Sequence, residues 1–156
     1  MKFIFSTLLF FLTNHLFSLD YILEFQANIN ILKEFDISKK EKFRSYELIG
    51  TFTDEYGNYG KLEGIIISDI KDNKLIKLEG TAKTIYANNE VLYIKAFRKE
   101  SDFDAGVATM EIVGASDKFK AIIGTKCKQS VRYFKDTMFG LQKCKITKEQ
   151  SEILKK

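Results

Sequence analysis

Proline and tryptophan are absent from this chain, and histidine occurs once, at position 15. Many aromatic residues with so little punctuation favour a folded, β-rich protein over disorder. The lone His15 lies in a segment read below as a leader. A mature chain without it has no histidine, which removes Ser-His-Asp and Cys-His catalysis and histidine-based zinc sites. The two cysteines are not spaced Cys-x-x-Cys, and nothing near them supplies further soft ligands, so no metal or other cofactor is expected.

What is present is 156 residues, enough for one closed core once a leader is removed, with fourteen phenylalanines and seven tyrosines. The formal charge is +4. Its basic residues are spread along the chain, with short runs such as Lys39-Lys40 and Lys155-Lys156. Spread charge reads as a solvated surface and not as a nucleic-acid or anionic-membrane surface, because a binding footprint concentrates charge on one patch.

Lys2 is followed by the apolar run Phe3 to Leu12, then the polar break Thr13-Asn14-His15 and Leu16-Phe17-Ser18. One positive charge, a short apolar stretch and a break make a signal-peptide pattern, with cleavage expected after Ser18. Leu16, third before the cut, fits the small-residue rule poorly. The stretch falls short of the ~20 residues of a membrane span, so no span is expected after cleavage; an uncleaved anchor is the alternative. No cysteine lies near the cut to mark a lipoprotein. The expected organisation is a signal peptide over 1–18, a β-domain over 19–147 and a charged tail over 148–156. That places the protein in the periplasm or outside the cell.

The domain is legible as strands. Tyr21, Leu23, Phe25, Ala27, Ile29 and Ile31 alternate with Glu24, Gln26, Asn28 and Asn30, the period of a half-buried strand. The template recurs in Tyr46-Leu48-Gly50-Phe52, in Leu62-Gly64-Ile66-Ser68-Ile70, and in Ile76-Leu78-Gly80-Ala82-Thr84-Tyr86. Leu92-Ile94-Ala96 leads into a polar loop at 99–102, and Gly106-Ala108-Met110-Ile112 makes a sixth strand. A seventh is expected from Ala121 to Val131 and an eighth from Met138 to Thr147. The tail is expected to fray or form one helical turn. Eight strands joined in order by short loops predict an all-β, antiparallel up-and-down barrel, whose closure removes exposed edges. Glycines recur on the inward face at 50, 64, 80, 106 and 140. They either relieve strand bending or leave a cavity.

Cys127 and Cys144 form an even pair, which in an exported chain suggests a disulfide. A hairpin turning at Lys135-Asp136 places Cys127 opposite Cys144, Gln129 opposite Gln142 and Val131 opposite Gly140.

The stretch from Ile112 to Gly124 carries Gly114, Phe119 and Gly124 in a glycine turn, aromatic, glycine arrangement. It resembles the late hairpin of allene-oxide-cyclase-like and other calycin-type small barrels. Ser116-Asp117 stands where that pattern has Thr-Gly, and Ala121 where it often has Gly. The resemblance implies a barrel, and no cyclase catalytic residue matches by position.

Candidate sites follow from residues that are polar where the pattern points inward. Gln129, Gln142 and Thr125, with Tyr46, Gly80, Thr84 and Tyr86, form a candidate pocket. The alternative is a satisfied internal hydrogen-bond network. Asp102-x-Asp104-x-Gly106 lacks the ligand count of a calcium loop, and Asp54, Glu55 and Asn58 read as turn chemistry. Tyr56 and Tyr59 either close a barrel end or meet a partner. The leading expectation is a non-catalytic barrel that binds a small apolar ligand. The alternatives are a cyclase or isomerase acting inside the barrel and a protein-binding, inhibitor-like module.

Overall fold

The computed structural model describes residues 18–102 and 105–155. The leader, apart from Ser18, lies outside the described residues, as do Asp104 and Lys156. Eight strands follow one another: β1 (Leu19–Asp36), β2 (Glu41–Asp54), β3 (Tyr59–Lys71), β4 (Lys74–Tyr86), β5 (Val91–Asp102), β6 (Ala105–Ala115), β7 (Lys126–Phe134) and β8 (Thr137–Ile146). Each pairs antiparallel with the next, and β8 returns to β1, so the sheet closes as an up-and-down barrel. Even-numbered residues from β2 onward and odd-numbered ones on β1 and β7 turn inward, which is why strict alternation along the chain becomes one continuous core. Tight turns suit this order: Asp72 and Asn73 carry φ of 49° and 62° between β3 and β4, the geometry of a two-residue hairpin loop.

One end of the barrel is stoppered. Residues Asp117–Ile122 coil into a 3₁₀ helix that buries Phe119 and Ile122. Strand β7 therefore begins at Lys126 and not at Ala121, because the segment after the glycine turn folds over the barrel mouth. The tail is a helix, α1 (Lys148–Leu154). Thr147 Oγ1 accepts from Gln150 N at 3.2 Å and Thr147 N donates to Gln150 Oε1 at 2.9 Å, a reciprocal cap. Leu154 is 1% exposed beneath this helix. Asn58 Nδ2 donates to Leu154 O at 2.8 Å and Gln150 Nε2 donates to Ala121 O at 2.8 Å. Asp54 accepts from Tyr56 N, Asn58 N and Asn58 Nδ2, so the turn reading of this segment holds and the turn also anchors the helix.

Two inward assignments shift. A bulge where Asp69 pairs with Lys77 but Ile70 pairs with Leu75 reverses the parity of early β4. Leu75 is buried in consequence and Ile76 is 38% exposed. Ile31 is 52% exposed because β8 ends opposite Asn28 and β1 continues past the barrel wall.

The inward glycines are close-packing points. A Cβ at Gly80 would lie 2.2 Å from Ile66 Cδ1, at Gly140 2.0 Å from the Phe25 ring, and at Gly50 2.7 Å from Ala27 Cβ. Gly64 is the least crowded of these inward positions, yet a Cβ there would still lie 3.2 Å from Thr81 O and 3.3 Å from Ala82 Cβ, tighter than ordinary van der Waals contact. Neighbouring groups have grown into the missing side chains, so the glycines let strands and large residues approach and do not hollow the barrel.

Candidate functional site

The last hairpin sets the floor of the interior. Cys127 pairs with Cys144, Gln129 with Gln142 and Val131 with Gly140, the register expected from the turn at Lys135-Asp136. The cysteines are bonded, with Cα atoms 4.1 Å apart, and Cys144 is 0% exposed. Opposed residues in an antiparallel pair come this close only where no backbone hydrogen bonds join them, which is where a disulfide can bridge. Gln142 lies beside this bridge, its Nε2 3.3 Å from Cys144 Sγ and 3.7 Å from Cys127 Sγ.

The barrel holds a cavity of about 50 Å³. Tyr46, Thr84, Gln129 and Gln142 line it, set among Phe25, Leu48, Met110 and Met138. Four of the seven expected pocket residues are thus brought together. Tyr86 and Thr125 are buried elsewhere, Tyr86 under the stopper, where its ring lies 4.9 Å from both Phe52 and Phe119. Gly80 faces a shallow hollow of about 520 Å³ on the outside of the barrel, over Ile65, Ile67 and Phe97. Its inward side is closed by Ile66.

Thr84 is 1% exposed, and its Oγ1 has no hydrogen-bond partner among the described residues. A buried hydroxyl left without a partner costs about 1–3 kcal/mol.

Arg98 is the interior residue that sequence reasoning missed. It is 2% exposed and lines the cavity. The signal was available: Leu92, Ile94 and Ala96 alternate inward, and 98 is next in phase. Its Nε donates to Ser101 Oγ at 2.8 Å, and Nη2 donates to Ala105 O at 2.6 Å and to Asp102 O. The guanidinium therefore ties the end of β5 to the start of β6 from inside. Tyr133 and Tyr46 join it: burial first, then contact with Tyr133, pushes the Tyr46 phenol up. Burial also raises Tyr133, against the opposing pull of its bonds to Tyr46 and Arg98. At the stoppered end Tyr21 donates to Asp54 Oδ2 at 2.7 Å, and its phenol is raised chiefly by burial.

No carboxylate is among the buried residues described, and no cluster of three metal-ligating side chains occurs among them. The interior can therefore offer hydroxyl, amide and guanidinium groups to a guest. No family model matches the chain, and no curated protein and no solved structure matches it significantly. What stands is an eight-stranded closed antiparallel barrel, compatible in architecture with the small calycin-type barrels.

Proposed function

We propose that the protein is an exported, non-catalytic barrel that holds a small, mostly apolar ligand in its interior, with one polar group of the ligand against Thr84, Gln129 and Gln142. The observation that carries this reading is Thr84 Oγ1, buried and unpartnered on the wall of a cavity. The leader pattern and the Cys127–Cys144 bridge support export, since disulfides persist in oxidising compartments.

The volume sets the ligand. Common ligand pockets enclose about 300–1,000 Å³, and one water needs about 10–15 Å³ of such space. A cavity of about 50 Å³ takes a guest of a few heavy atoms. A longer one requires the flexible Met110 and Met138 side chains to turn aside.

Short alcohols and ketones are suitable probes, followed by NMR of the methionine methyl groups. The expected result is saturable shifts at Met110 and Met138, with alcohol affinity falling about fivefold in Thr84→Val, the loss of one hydrogen bond. Absence of any saturable shift across the probe series would refute interior binding. Mass spectrometry of the native protein tests export: a terminus between Leu16 and Asp20 is expected, and an intact Met1 would overturn it.

A further inference from the structure

The pairing of β1 with β8 ends at Asn28↔Thr137, and one more bond joins Ile29 N to Asp136 O at 2.7 Å. Beyond that point β1 runs on to Asp36 with β2 as its only partner. At about 3.3 Å per residue the β1–β2 hairpin reaches roughly 20 Å or more along the strand past the β7–β8 turn. It carries a concentration of exposed apolar side chains: Ile31, Leu32, Phe35 and Ile37 are 52%, 44%, 56% and 65% exposed. The Phe35 ring stands 6.3 Å from Phe43. On its other side β2 stays paired with β3 as far as Glu41↔Lys71, so these residues lie at the open edge of a sheet that β8 no longer covers.

Its charge is one-sided. From Lys33 to Arg44, five cations (Lys33, Lys39, Lys40, Lys42 and Arg44) stand against Glu34, Asp36 and Glu41. The three acids are already occupied. Glu34 binds Lys42 at 3.1 Å and Arg44 at 2.5 Å, Asp36 binds Lys42 at 3.4 Å, and Glu41 binds Lys71 at 2.6 Å. Lys40 is matched by Asp72 at 3.3 Å, while Lys33 and Lys39 have no ion-pair partner among the described residues.

The free edge itself is guarded against strand addition. A bulge between Ile31 and Lys33 breaks its regularity, and charged side chains follow along it. Contact through this hairpin therefore belongs to its side chains and not to its backbone. An exposed apolar sheet end carrying the unpaired Lys33 and Lys39 is complementary to an anionic bilayer surface, which accepts apolar groups at the acyl boundary without a matching groove. We propose that the β1–β2 hairpin tip is a lipid-facing contact that seats this protein on anionic membrane surfaces, with Phe35 and Ile37 entering the interface and Lys33 and Lys39 meeting the headgroups.

Co-sedimentation with vesicles of mixed phosphatidylglycerol and phosphatidylcholine, against vesicles of phosphatidylcholine alone, tests this. Binding to the anionic vesicles only is expected. It should weaken roughly thirtyfold in Lys33→Gln/Lys39→Gln, as two lysines near such a surface imply. It should be lost in Phe35→Ser/Ile37→Ser. Both variants change exposed side chains, and unchanged thermal unfolding would show that the fold is kept. Absence of binding to anionic vesicles, equal binding to both compositions, or binding unmoved by Phe35→Ser/Ile37→Ser would overturn the proposal. So would concentration-dependent dimerisation that Phe35→Ser/Ile37→Ser abolishes, which would assign the tip to a second copy of the chain.

Discussion

The guanidinium of Arg98 lies where a side chain at position 106 would be: a Cβ on Gly106 would sit 2.3 Å from Nη2 and 2.5 Å from Cζ. Arg98 and Gly106 thus form one unit. The glycine vacates the inner face of β6, and the arginine enters it to reach Ser101, Asp102 and Ala105 from within.

Gly106→Ala should therefore push the guanidinium off its acceptors and destabilise the fold by ~1–3 kcal/mol, as overpacking does. In Arg98→Met the same glycine substitution should cost much less, because the two sites share one contact. Urea unfolding of the two single variants and the double variant measures the coupling. Additive effects would show that the two residues are independent.

The Cys127–Cys144 bridge spans a sequence separation of 17 and should stabilise the folded state by ~3 kcal/mol through the unfolded chain. Cys127→Ala/Cys144→Ala should lower the urea midpoint accordingly. A shift under ~1 kcal/mol would mean that the neighbouring β7–β8 register already restrains the same chain.

Leu154 seals the stoppered end at 1% exposure. Leu154→Ala should cost ~2–3 kcal/mol, the lower part of the range for buried leucines, because a helix of two turns can settle into the space. Lys155→Ala, on the exposed side of the same turn, should stay within ~0.5 kcal/mol. Thermal unfolding compares them, and equal effects would remove the helix from the core.

Alkali should unfold the protein through its phenols. Burial pushes Tyr86 up to about 12, while contact with Tyr21 pulls the other way. Burial also raises Tyr21, Tyr46 and Tyr133. In the unfolded chain these groups ionise near 10, so between about pH 10 and 12 the unfolded state holds fewer protons and stability falls as pH rises. The contribution is complete below pH ~10. Unfolding followed by circular dichroism should coincide with a cooperative rise in phenolate absorbance. Ionisation of all tyrosines with the fold intact would contradict the burial of this group.

Much of this architecture was readable one residue at a time. Alternation identified the strands, and short turns ordered them as a meander. The two-residue turn at Lys135-Asp136 left so little freedom that it brought Cys127 opposite Cys144. Other features were present as signals that went unread. Thr147 and Gln150 have the spacing of a helix cap, and Arg98 continues the inward phase of β5 although its charge suggests a loop.

The period of each strand, the order of strands and the pairing across the last hairpin were already written in the residues, because these depend on neighbours along the chain. Where β4 changes phase was settled by packing, since the bulge that buries Leu75 and exposes Ile76 depends on the partner strand. Packing also decided what fills the inward glycines. Ile66, Arg98 and Phe25 enter those spaces from other strands, so a small residue on one strand says nothing of the volume left empty. For the same reason the orphaned hydroxyl of Thr84 and the overhang of β1 appear only once the barrel closes: closure fixes which groups face one another and where the wall stops.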